Sequence, residues 1–339
     1  MPRLARTTSL LLAIAILSLF SSRAQAQTII KVATLAPEGS AWMNLFHEWG
    51  RNVEAHSAGK LKIKFYAGGV AGDERDAVRK MRLGQLSGAV VTAIGLGLIQ
   101  SEVRVLELPM LIKNYAELDY VRDAMSAEFS KKFAEKGYVL LGWGDVGPVH
   151  IFSNTPIKSK ADLNQTKMWA WTDDPLVKAM FKQLGSNGVP LGVPDVLTSL
   201  QTGLINACYG SPLSMVALQW YTKVKYMTSL QLSQAIGATV MSKEVFDALS
   251  PDLQKILVDD SKAMESKLLK TIRSDNDKSL ASMKSSGIQV IETPPAMVKE
   301  FEDQAMTLRP LLEKDPVVYT HDFRTRVEKL LADYRAKKK

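Results

Sequence analysis

A single cysteine, Cys208, is all the chain contains. No internal disulfide can form, so stability has to come from the size of the core, and the lone thiol reads as a buried apolar filler rather than a nucleophile. Histidine is nearly as scarce. His47, His56, His150 and His321 are dispersed and fall in no His-x-x-x-His or Cys/His spacing, so no metal or other cofactor is expected. No Gly-x-Ser-x-Gly elbow is present, and Gly68, Gly69 and Gly72 do not match a phosphate-cradling pattern. Basic runs beside aromatics are also lacking, which argues against a nucleic-acid groove. Internal repeats and low-complexity tracts are absent. The paired carboxylates Asp73-Glu74 and Asp173-Asp174 stand at helix starts, where capping and the helix dipole account for them, and Asp259-Asp260 reads as a solvated helix face. Together these absences disfavour an enzyme.

What is present is ordinary globular composition, 46% hydrophobic and 23% charged, over 339 residues. That length suggests about two domains. Residues 1–26 read as a secretory signal peptide. Arg3 and Arg6 form a positive start, Leu10 to Phe20 is apolar, and Ala24-Gln25-Ala26 fits small-x-small cleavage before Gln27. The apolar run of about 11 residues falls short of the roughly 20 a membrane span needs. No later stretch is long and apolar enough, so the mature chain is expected to be soluble and exported. Losing Arg3, Arg6 and Arg23 lowers the formal charge from +8 to +5.

After residue 27 the pattern alternates between strand and helix. Thr28 to Leu35 is strand-like, and Ser40 caps a helix carrying Trp42, Leu45, Phe46 and Trp49. Lys60 to Tyr66 alternates lysine with Leu61, Ile63 and Phe65. Asp73 starts a helix that Gly84 stops, and Ser87 to Ile94 has the small and β-branched residues of a buried strand. Further strands are expected at Val103–Leu108, Tyr138–Trp143 and Val149–Ser153. Helices are expected at Ala116–Lys136, from Asp174, at Pro194–Thr202 and at Leu213–Tyr221. Gly142 to Pro148, with three glycines and a proline, suits a crossover between domains, and Lys225 to Ser242 a second one. From Pro251 to Ser285 a helical pattern runs without a breaker for roughly 50 Å at 1.5 Å per residue, longer than one small domain. Pro295–Lys314 and Thr320–Ala336 close the chain as helices. The fold class is α/β, with two hinged lobes and a long helix spanning both.

The stretch Lys167-Met-Trp-Ala-Trp-Thr-Asp-Asp-Pro175 stands out. At period 2, Trp169 and Trp171 share one strand face, and Asp174 with Pro175 can begin a helix. The two indoles make either a core ridge or one wall of an apolar pocket.

Several runs together resemble the solute-binding proteins of tripartite ATP-independent periplasmic (TRAP) transporters, the DctP-like family. They include Gly59–Tyr66, Gly68–Arg75, Arg82–Leu86, Leu106–Pro109, Val193–Val196, Leu200–Gly203, Ile205–Leu213 and Met241–Phe246 with Leu249–Pro251, in the family's order and spacing. The resemblance implies closure of two lobes on a small solute and its delivery to small and large integral membrane subunits. It divides the chain into lobe I (27–147 plus 235–275), lobe II (148–234 plus 276–320) and a final helix with a basic tail (321–339) that packs back across the lobes. Members that bind organic acids carry an arginine where this chain has Trp169, and frequently a second where it has Val149; a polar position reads Tyr209. A tryptophan cannot fork onto a carboxylate as arginine does. The expected ligand is therefore apolar or aromatic, contacted by Trp169, Val149 and Tyr209. Trp171, Trp42, Asp145, Asp173 and Glu74 are further candidates. Aromatic walls near Asp145 or Asp173 would also suit a quaternary ammonium ion. A receptor for a sensor kinase and a conventional acid binder with other polar contacts stand as alternatives.

Overall fold

A computed structural model describes residues 27–172, 174–185, 188–314 and 317–338. The expected signal peptide and Asp173 lie outside these residues. The alternation of Lys60 to Tyr66 becomes β2 (Leu61–Tyr66), with Leu61 and Ile63 buried and Lys62 and Lys64 in solvent. It lies parallel to β1 (Thr28–Thr34), which pairs on its other side with the buried strand β3 (Gly88–Thr92).

The two strands that hold the molecule together are β4 (Tyr138–Ser153) and β9 (Ser233–Ser242). The first runs antiparallel to the second from Tyr138 opposite Ser242 to Val149 opposite Ser233. Its last residues instead pair with β7 (Ala207–Gly210) and β8 (Tyr226–Thr228), and β8 carries β10 (Gln289–Ile291). The result is one curled sheet, ordered β10-β8-β4-β9-β3-β1-β2 with β7 beside β4, whose two halves form the two lobes. A separate pair, β5 (Trp169–Trp171) and β6 (Val189–Leu191), hangs on β7 through a bridge between Met168 and Ala207.

Gly142 to Pro148, expected as a crossover between two separate strands, is the middle of the single strand β4. The ladder to β9 holds it extended, and two register shifts, at Leu140/Gly142 and Asp145/Gly147, absorb the glycines. Val103–Leu108 is no strand. Both edges of β3 are already taken by β1 and β9, and Ser101–Glu107 winds into a 3-10 helix that brings Arg104 and Glu107 to one side. The helix expected over Leu213–Tyr221 is broken at Gln219, which has φ +60°; Pro212–Ala217 is helical and Trp220–Lys223 is a 3-10 turn.

The helix Pro251–Ser285 forms over 35 residues and packs on β4, on the helix Ala41–His56 of one lobe and on Pro212–Ala217 of the other. Its Asp260 is buried, not solvated, and contacts His56 Nδ1 at 2.8 Å. The helix Pro295–Leu311 lies on Pro175–Leu184, whereas the last helix, His321–Ala336, lies on Tyr115–Glu135 through Phe323 and Phe129 and an Arg326–Glu128 ion pair.

Candidate functional site

Between the lobes lies a cavity of about 240 Å³. Seven of the eight candidate residues line it: Trp42, Glu74, Asp145, Val149, Trp169, Trp171 and Tyr209. The eighth, Asp173, lies outside the described residues. Strand periodicity puts Trp169 and Trp171 on one face of β5, with ring centroids 5.7 Å apart. Trp169 is only 2% exposed. Its ring stacks on Tyr209 at 4.7 Å and meets Trp220 edge-on at 5.2 Å, while its Nε1 donates to the Leu191 carbonyl at 2.9 Å. The indole N–H is satisfied, so Trp169 offers the cavity an apolar face only.

Trp171 does something the sequence did not suggest. Its Nε1 donates to Asp73 Oδ2 across the lobes at 2.9 Å, and the backbone N–H of Val193 donates to the same oxygen at 3.3 Å. Asp73 also caps its own helix by accepting from Glu74 N. A second link joins buried Arg104 to Asp174 at 3.0 Å, and Asp174 caps the helix Pro175–Leu184 by accepting from Leu176 N. Neither link was foreseeable from periodicity, because each joins residues 70 or more apart. The lobes are closed on one another.

The acidic candidates are spoken for. Asp145 accepts from Arg122 Nη1 at 2.9 Å and from Arg273 Nε at 2.7 Å, and its carbonyl takes the Trp42 indole N–H at 3.3 Å. Two guanidinium groups match its charge, so a cage for a quaternary ammonium ion cannot draw on it. Glu74 is fully enclosed. Its oxygens accept from Thr92 N, Thr92 Oγ1 and Gly95 N, at the start of the helix Ala93–Ile99. Burial, with no cationic partner among the described residues, pushes its carboxyl up to about 8 despite those bonds. Glu107, a lining residue that sequence reasoning missed, accepts from Ile236 N at 2.9 Å; burial raises it to about 7, against the pull of Arg104 at 3.5 Å.

Among the described residues the cavity wall contains no lysine, arginine or histidine. Its charged members are Glu74, Glu107 and Asp145. Cys208 is buried, 3.9 Å from the Met215 sulfur, and burial raises its thiol far above the usual range, which fits a packing role. No group of three or more His, Cys, Asp and Glu arranged to hold a metal occurs among the described residues.

The sequence model of the bacterial extracellular solute-binding proteins, family 7 (DctP), matches residues 32–313. The 2,3-diketo-L-gulonate-binding periplasmic protein of Escherichia coli is 25% identical over 246 residues, covering 70% of this chain and 73% of that one. A solute-binding protein of Verminephrobacter eiseniae is 25% identical over 274 residues, covering 79% and 81%. Among solved structures, the sugar acid binding protein of Advenella mimigardefordensis in complex with galactonate superposes with a TM-score of 0.84 at 19% identity, over 91% of this chain and 98% of that one. A TRAP periplasmic solute-binding protein from Citrobacter koseri with bound D-glucuronate gives 0.81 at 23% identity, over 91% and 99%.

Proposed function

This chain belongs to the bacterial extracellular solute-binding proteins of family 7, receptors rather than enzymes, and we propose that it captures an uncharged, apolar or aromatic solute between its lobes. One observation carries this reading: the cavity wall has no cationic side chain among the described residues, and its charged groups are carboxyls. A carboxylate ligand buried there would find no cationic partner in the wall, at a cost of several kcal/mol. An apolar face laid on Trp169 and Tyr209 instead gains about 25 cal/mol per Å² removed from water. The solutes named for the relatives are acids, so the ligand of this chain is the point of divergence.

The remaining parts of the reading follow the family. Residues 1–26 direct export and are removed, the mature protein works in the periplasm, and the closed form hands its solute to the small and large membrane subunits of a TRAP transporter. Calorimetric titration with succinate, D-glucuronate and indole tests the ligand class. Indole is expected to bind and both acids to fail. Binding of either acid at micromolar Kd would overturn the apolar reading.

A further inference from the structure

The cavity does not end at the tryptophans. Trp169, Val193 and Trp220 belong to one buried cluster of lobe II. Ile151, Met168, Leu163, Phe181, Leu184 and Phe301 belong to another. Adjacent residues Met168, at the bridge to Ala207, and Trp169, the first of β5, belong to different clusters, yet both line the cavity. The space therefore continues past the strand edge into the lobe II core. It runs beneath the helix Pro175–Leu184, walled by Phe181 and Leu184 of that helix, Leu163 of Lys160–Asn164 and Phe301 of Pro295–Leu311. Every one of these wall side chains is hydrocarbon, and each is less than 9% exposed.

A small rigid solute fills the cleft and leaves that branch empty, which forfeits the contacts that a close-packed interior normally makes. Ordered water does not suit it, because a buried water needs two to four polar partners. A flexible unbranched hydrocarbon suits it on both counts. We propose that this branch is a tail subsite, so that the ligand is a single-chain amphiphile with its uncharged head in the cleft and its alkyl chain beneath the helix Pro175–Leu184. The raised carboxyl of Glu74 keeps its proton near neutral pH and so sets no charge beside an uncharged head.

The proposal rests on the apolar reading of the cleft, and the test separates the two. Indole serves as the cleft probe and primary alcohols from hexanol to dodecanol as tail probes, titrated calorimetrically into the full-length protein. Affinity for the alcohols is expected to rise about fourfold per methylene until the branch is filled, and then to level off. Leu184→Phe and, separately, Leu163→Phe narrow the branch. Each is expected to weaken dodecanol at least tenfold and to leave indole unchanged, which also shows that the variant is folded. If affinity is flat with chain length, or if both variants bind dodecanol like the unaltered protein while indole binds, the tail subsite is refuted and the apolar cleft stands. If neither indole nor any alcohol binds, both readings fall.

Discussion

Glu74 separates what local pattern fixes at one residue from what the fold adds. The sequence marks it as the first residue of a helix after Asp73, and it is. Only the fold makes it a fully enclosed carboxyl whose oxygens are consumed by Thr92 and Gly95. Its folded carboxyl, raised to about 8 from 4.5, keeps its proton while the unfolded one releases it. Stability from this group is therefore fully present below pH 4.5 and is lost as pH rises toward 8. Glu107, raised to about 7, acts in the same direction. Glu74→Gln cannot ionise, so its unfolding free energy should fall less between pH 5 and pH 8 than that of the unaltered protein. Urea titrations at the two pH values measure this, and an unchanged difference would contradict the assignment. At the same scale, Trp169→Ala should cost about 3–5 kcal/mol of stability by opening a void between Tyr209 and Trp220. It should also weaken indole binding more than tenfold by calorimetry; undiminished indole binding would move the ligand away from this ring.

Among the elements, β4 shows best what glycine is for. Gly147 has φ +124°, and a Cβ placed there would stand 2.4 Å from Asn276 Nδ2. That amide donates to the Val146 carbonyl and accepts at Oδ1 from Leu213 N, tying the strand, the long helix and the helix Pro212–Ala217 together where the lobes meet. Gly147→Ala should therefore destabilise the protein by about 2–3 kcal/mol, through backbone strain and loss of that junction. Gly144→Ala is the control. Its nearest contact would be the flexible end of Leu268, at 3.1 Å, with the Gly237 backbone at an ordinary 3.8 Å, and a smaller cost is expected. Chemical denaturation midpoints of the two variants decide it. Equal midpoints would mean that the junction does not depend on a glycine at this position.

For the molecule as a whole, the question is what holds the lobes shut. The Asp73 carboxylate receives two donors from the other lobe, Trp171 Nε1 and Val193 N. Hydrogen bonds to a charged acceptor contribute about 1.5–3 kcal/mol each at most, and in the open form water replaces them. Asp73→Ala should shift the free protein toward the open form, raise its radius of gyration in small-angle scattering and weaken indole about tenfold. Ligand should compact the unaltered protein and raise its Tm, since a solute at 100 times Kd adds about 2.7 kcal/mol to the native state. A variant as compact as the unaltered protein, with the same affinity, would show that closure does not depend on this contact.

The sequence by itself determined the faces and the breaks: buried Leu61 and Ile63 against exposed lysines, the paired indoles of Trp169 and Trp171, and the unbroken 35-residue helix. These follow from backbone periodicity and capping, which act over a few residues. The tertiary structure alone decided that Gly142–Pro148 continues one strand rather than separating two, because the deciding hydrogen bonds come from β9. It also decided which carboxylates are neutralised. Asp145 finds its guanidinium partners 23 and 128 residues away, and Glu74 finds none among the described residues. The charge of a buried site is a sum over long-range neighbours, and local pattern carries no record of them.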